Sequence, residues 1–159
     1  MEQLIIDNKL INQFKQDKNV ENLLRGFLWQ LAHATEACQG IIYEVKNGNE
    51  GKTEAVFLSS YAYSHPNQKE LKYAEGEGFV GQVLHDKKEL IISNIPSDYL
   101  TIVSGLGKSA PAHIAIIPIK NKTGNMFSII ELASFRSFDS NVLSSISNAE
   151  VELYELINS

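Results

Sequence analysis

The sequence runs to 159 residues, 43% of them hydrophobic and 21% charged, which fits one soluble domain large enough to bury a core. A net charge of −5, with lysines and arginines scattered and Lys87-Lys88 their nearest approach to a cluster, argues against a nucleic-acid surface. The single cysteine, Cys38, excludes an internal disulfide, and no apolar run nears the ~18–20 residues that cross a bilayer. With no basic and apolar leader at the N-terminus, a soluble cytoplasmic protein is the expectation.

Residues 2–15 carry Leu4, Ile5, Leu10, Ile11 and Phe14 at helical spacing. They read as an amphipathic arm over residues 1–18, without a core of its own and so facing a partner. Asn19 is placed to cap the clearest helix, residues 20–36, whose apolar stripe is Leu23, Leu24, Phe27, Leu28, Leu31 and Ala34. Trp29 falls beside that stripe and His33 near its edge, positions that suit a packed or half-exposed helix face. Gly40 breaks the helix, and residues 41–45 have the β-branched and aromatic content of a strand. Residues 47–51 are turn chemistry, and residues 53–64 make the second arm of an antiparallel hairpin. Strict alternation puts Ala55, Phe57, Ser59, Tyr61 and Tyr63 on one side of that arm, where the tyrosines either line a pocket or cover apolar surface.

A short strand over residues 71–74 leads into Gly76-Glu77-Gly78, a sharp turn, and then into a short helix with Phe79, Val80, Val83 and Leu84 on one face. Gly76, Gly78 and Gly81 have the spacing of a nucleotide loop, but no Lys-Ser/Thr ending and no βαβ unit accompany them. Residues 90–93 form a strand, and Pro96 with Ser97 or Asp98 starts a short helix through Val103 that Ser104-Gly105-Leu106-Gly107 ends. Loops of this kind on a rigid scaffold tend to carry binding residues. Residues 111–120 and 126–135 are two strands, the second apolar on both faces and so central in its sheet. Its alternation groups Met126, Ile130 and Leu132 on one face and Phe127, Ile129 and Ala133 on the other. His113 and Glu131 interrupt these strands; each needs a hydrogen bond, a ligand or a place at the rim. The last helix, residues 139–157, carries Val142, Ile146, Ala149, Leu153 and Leu156 on one stripe. It is still in register when the chain stops, which reads as a piece of a longer protein.

Catalytic constellations are missing from the pattern. His33, His65, His85 and His113 show no metal-ligand spacing, no Gly-x-Ser-x-Gly elbow occurs, and Ser104 suits a turn better than a nucleophile. Neither a metal nor another cofactor is expected.

The glycine segment from Gly76 to Val83, the strand Leu90-Ile91-Ile92 with Ile95-Pro96, Asp98-Tyr99-Leu100, the Ser104–Gly107 turn, His113 to Pro118 and Ile130 to Phe135 follow one another in a telling order. Together they resemble the second half of a GAF domain, most like the modules of bacterial hybrid sensor histidine kinases, over roughly residues 19–158. The resemblance implies an α+β, PAS-related fold with residues 19–159 as the GAF domain and residues 1–18 as its arm. Its antiparallel sheet would have about five to six strands, with the long terminal helices on one face and short helices and loops over a pocket on the other. The resemblance also implies that the segment around Tyr99 and Ser104 closes over a ligand, and that the terminal helices pair in a homodimer and pass a signal to an output domain.

Three family chemistries can be weighed on the residues. GAF-fold methionine sulfoxide reductases need a set of cysteines, and Cys38 is alone. Bilin attachment uses a cysteine followed by histidine, whereas Gln39 follows Cys38. Of the cyclic-nucleotide motif only a Phe and an Asp remain in residues 134–141. The expectation is a non-enzymatic sensory domain binding a small molecule, with no nucleic-acid or membrane partner. Tyr61, Phe79, Tyr99, Ser104, His113 and Glu131 are the candidate lining, from their location and polarity. The alternative is a ligand-free dimerisation and relay module whose pocket is filled by Phe79, Tyr99 and Leu106.

Overall fold

In the computed structural model, residues 6–62, 71–93, 95, 102–104, 107–109, 111–138 and 140–158 are described. Helix α1 (Asn8–Asp17) starts where the Asp7 carboxylate accepts the Lys9 N–H at 2.6 Å. Helix α2 (Val20–Ala34) starts on Asn19, whose side-chain oxygen accepts the Asn22 N–H at 3.0 Å, as its sequence position predicts. The arm is not free for a partner as the sequence reading has it. Ile6 and Phe14 are buried in the same core as Leu24, Phe27 and Leu31, with Leu10 and Ile11 packed against it. The two helices meet at Gly26, where an added Cβ would lie 2.5 Å from Leu10 Cδ1.

Strands β1 (Gln39–Asn47), β2 (Thr53–Tyr61), β3 (Lys72–Ala74), β4 (Leu90–Ile92), β7 (His113–Lys120) and β8 (Met126–Ser134) form one sheet, in the order β3-β2-β1-β8-β7-β4. Every pairing in it is antiparallel. Gly40 does not end a helix; Thr35 caps α2 and Gly40 lies within β1. A Cβ there would sit 3.1 Å from Leu28 Cδ1 and 3.2 Å from Leu132 Cδ2, so glycine lets the helix approach the strand.

The sheet separates two cores. On one face, α2 and α4 (Ser140–Ile157) pack Leu28, Ile146 and Leu153 over Ile42, Ile117, Ile130 and Leu132. On the other, α3 (Gly78–Asp86) packs Val80, Val83 and Leu84 over Tyr43, Ala55, Ile114, Ile116 and Ile129. This is the α+β arrangement expected from the sequence.

Two bulges alter which residues share a face. Ile42 pairs with Ser59 and Tyr43 with Phe57, so Leu58 is an extra residue in β2. Ala55 and Phe57 therefore belong to the α3 side, whereas Tyr61 packs on the α2 side and Ser59 accepts a 3.0 Å hydrogen bond from Arg25 Nε. In β8 the extra residue is Phe127, between the pairs Ile119–Ser128 and Lys120–Met126. Phe127 joins Ile130 and Leu132 on the α4 side and Met126 joins Ile129 on the α3 side, the reverse of simple alternation.

Past the short β4, no described strand pairs with the outer edge of β7. The Lys120 N–H points outward there and is taken by Glu150 Oε2 of α4 at 2.8 Å. By the two-residue repeat the nitrogen of residue 118 faces the same way, and Pro118 has no N–H to offer.

Strands β5 (Ile102–Ser104) and β6 (Gly107–Ser109) form a separate antiparallel pair. Residues 102–103 are thus strand rather than the end of a helix, in line with the β-branched Ile102 and Val103. The start of that predicted helix, at residues 96–101, lies outside the described residues.

Candidate functional site

The glycine motif is a folding device for α3. Gly76 and Gly78 have φ of 89° and 64°, values costly for residues with a Cβ. The Gly76 N–H donates to the Gly81 carbonyl at 2.9 Å, and a Cβ on Gly81 would lie 2.5 Å from the Ala74 carbonyl oxygen. Carboxylates tie the same turn down. Glu77 accepts the Ala74 N–H at 3.1 Å, and Glu75 accepts the Thr53 N–H and faces His85 Nδ1, each at 3.3 Å. The Thr53 N–H, and after it His85, hold the Glu75 carboxyl below its usual range.

The helix so positioned covers a sheet face that carries buried polar groups. Glu131, 4% exposed, stands on β8 opposite Ile41 of β1. The Tyr43 hydroxyl, fully buried, donates to Glu131 Oε1 at 3.1 Å. Tyr43 is held in turn by the edge of Tyr73, with ring centroids 5.9 Å apart, and by the Ser128 hydroxyl, which donates to its carbonyl at 2.7 Å. Phe79 packs against this core from α3. A carboxylate offers about four acceptor positions, and in apolar surroundings each must be met by a donor.

Gln39 is a buried polar residue of this face that the sequence pattern does not single out. It lies opposite Ala133, a member of the α3-side core, and so shares the face of Glu131. Gln39 is 4% exposed, and its Oε1 is buried without a hydrogen-bond partner among the described residues. The signal that could have found it is a glutamine at the start of a strand that is otherwise Gly40-Ile41-Ile42-Tyr43.

Of the six sequence candidates, the structure brings Phe79 and Glu131 to this face. Tyr61 is on the opposite face because of the Leu58 bulge, in an aromatic cluster with Trp29 at 4.8 Å and His33 at 5.5 Å. His113 also leaves the set: it pairs with Ser134 and alternates with Ile114, and its Nδ1 meets the Ser93 hydroxyl at 3.2 Å. Ser104 is in β5, and Tyr99 and Leu106 lie outside the described residues. Cys38 starts the same strand edge, its N–H donating to the Ala133 carbonyl at 2.8 Å.

Among the described residues, clefts open elsewhere. One of about 480 Å³ lies between α2 and α4 and is lined by Leu24, Leu58, Phe127 and Tyr154. The other, about 500 Å³, lies between the α3–β4 turn and α4, with Lys87, Lys88, Lys120 and Glu150 at its rim. Among the described residues no group of three His, Cys, Asp or Glu side chains could hold a metal ion, and no helix is long and apolar enough to cross a membrane.

A family model for the GAF domain matches residues 17–149. The chain belongs to the GAF domain family. Solved structures agree on the fold. The GAF domain of a phosphoenolpyruvate-protein phosphotransferase from Coxiella burnetii is 18% identical at a TM-score of 0.67, over 94% of this chain and 91% of that one. The A. aeolicus nlh2 GAF domain in an inactive state is 20% identical at a TM-score of 0.65, over 95% and 92%. A type II free methionine-R-sulfoxide reductase from Thermoplasma acidophilum is 10% identical at a TM-score of 0.64, over 94% and 95%. No curated protein matches the chain. GAF domains are generally sensory or regulatory parts of signalling proteins, although the fold also serves the reductase.

Proposed function

We propose that this GAF domain is a non-enzymatic sensor that binds a small molecule on its α3 face and relays the binding through its terminal helices. It would act as a homodimer in a cytoplasmic signalling protein such as a sensor histidine kinase. The observation that carries the reading is Glu131, a carboxyl group in an apolar core, held by a fully buried tyrosine. Burying such a group is costly, and the cost is readily understood where a ligand uses it.

The sheet supplies a short path for the relay. Glu131 faces the α3 side, while its neighbours Ile130 and Leu132 on the same strand pack under α2 and α4. A ligand that shifts β8 therefore changes the floor on which both terminal helices rest. It does so only if it binds one helix arrangement more tightly than the other.

Native mass spectrometry of the full chain reports subunit count and any retained small molecule. The reading expects a dimer carrying excess mass, and loss of that mass in Glu131→Gln. Excess mass retained unchanged in Glu131→Gln would overturn the assignment of the site. A dimer of bare protein would favour a ligand-free dimerisation and relay module instead.

A further inference from the structure

We propose that the cleft between α2 and α4 is a second binding site, for a small uncharged aromatic molecule. It lies on the face of the sheet opposite α3, so the inference stands whether or not the α3 face binds anything.

Two irregularities of the sheet build the cleft. Leu58 and Phe127 line it, and they are the extra residues of the two bulges. The bulges flank one stretch of β1, where Tyr43 pairs with Phe57 on one side and with Ile129 on the other. A bulge re-aims a side chain, and bulges gather beside functional sites. Here each neighbour of β1 sends one apolar side chain to the α2–α4 face. Leu24 of α2 and Tyr154 and Ile157 of α4 complete the apolar lining. The rings of Phe127 and Tyr154 stand 6.5 Å apart, tilted by 45°.

The lining decides the class. Its charged and amide side chains already have partners within the chain. Glu21 meets Arg25 at 3.1 Å and Glu44 meets Lys46 at 3.9 Å. Asn121 Oδ1 accepts the Thr123 and Asn125 N–H groups at 3.0 Å each, and Asn158 Nδ2 donates to the Tyr154 carbonyl at 3.0 Å. An anion would meet two carboxylates and, among the described lining residues, no cationic side chain. A cation would find both carboxylates paired and would give up water for apolar walls. An uncharged ring gains apolar contact and two aromatic neighbours without either cost. An apolar cavity of about 150 Å³ takes a single benzene ring. The cleft, at about 480 Å³, has room for a fused pair of rings.

The test uses the full chain, labelled with nitrogen-15 and titrated at pH 7 with indole, indole-3-acetate and tryptamine, which share one ring system and differ in charge. Indole should give saturable shifts of the Leu24, Leu58, Phe127 and Tyr154 amides and leave those of Val80, Val83 and Leu84 in place. The two charged probes should bind at least tenfold more weakly. Phe127→Ala should weaken indole about tenfold. Val20 also lines the cleft and is 38% exposed, so Val20→Trp fills the space without removing a core side chain and should abolish saturable binding. That variant decides the matter if Phe127→Ala fails to fold.

A charged probe binding as tightly as indole on the same amides would overturn the ligand class. Indole affinity unchanged in a folded Val20→Trp protein, or shifts confined to α3, would overturn the site. Shifts of the cleft amides on diluting the protein without a probe would assign the cleft to a second copy of the chain and overturn the proposal. So would the absence of any shift with all three probes.

Discussion

Replacing Gly81 with alanine sets two physical effects against each other at one position. Gly81 lies inside α3, where alanine is normally the better residue by about 1 kcal/mol. The new Cβ, however, would stand 2.5 Å from the Ala74 carbonyl oxygen and 3.0 Å from the Gly76 carbonyl carbon, both backbone atoms that cannot rotate away. Relieving that overlap by shifting the backbone costs ~1–3 kcal/mol. The shift also lengthens the 2.9 Å Gly76 to Gly81 hydrogen bond, worth ~0.5–1.5 kcal/mol. The sum is a net loss of about 2 kcal/mol, or a fall of ~4–8 °C in melting temperature for a chain of this size. Gly26→Ala is the matched control, since its Cβ meets the tip of the Leu10 side chain, which can turn aside. Urea denaturation of both variants decides the matter. A Gly81→Ala protein as stable as its parent would refute the steric account of the glycine motif and reopen a ligand role for it.

The other predictions concern single contacts. Asn19→Ala removes the cap of α2 and should lower stability by ~1 kcal/mol in the same urea assay, with an unchanged m-value. Tyr43→Phe takes a buried donor from Glu131 and should cost ~1–3 kcal/mol; a loss within a few tenths of zero would show that Glu131 does not depend on it. Burial pushes the Glu150 carboxyl above its ordinary value of 4.5, partly offset by the Lys120 N–H. A raised carboxyl means that the native state binds the proton more readily than the unfolded chain does, so this group opposes folding increasingly as pH rises from 4.5 through its folded value. Glu150→Gln should therefore gain on the parent in urea midpoint as pH rises through that window and then hold a constant lead. A lead that shrinks with rising pH would mean that the sign is wrong.

The features legible in the sequence were those that a local pattern encodes. The stripe from Leu23 to Leu31, the Asn19 cap and the turn at Gly76-Glu77-Gly78 each carry their own signal, and the two-faced apolar content of β8 put that strand at the sheet centre. Face assignment failed where the ladder gains a residue. A bulge leaves no mark on hydrophobic alternation, so Leu58 and Phe127 moved Tyr61, Met126 and Phe127 to faces that counting by twos does not give. Gly40 is ambiguous for a related reason, since a glycine that permits close packing and one that ends a helix look alike before the partner is known. Gln39 is not marked by its residue type, because an orphaned acceptor is a property of its surroundings.

The guarded edge of β7 bears on how copies of this domain can meet. With Pro118 unable to donate and the Lys120 N–H already spent on Glu150, a neighbouring chain finds little purchase there for strand exchange or open-ended stacking. Crowding many copies together would thus not seed fibres from this side of the sheet. Copies that do meet must do so through side-chain contacts rather than by extending this edge.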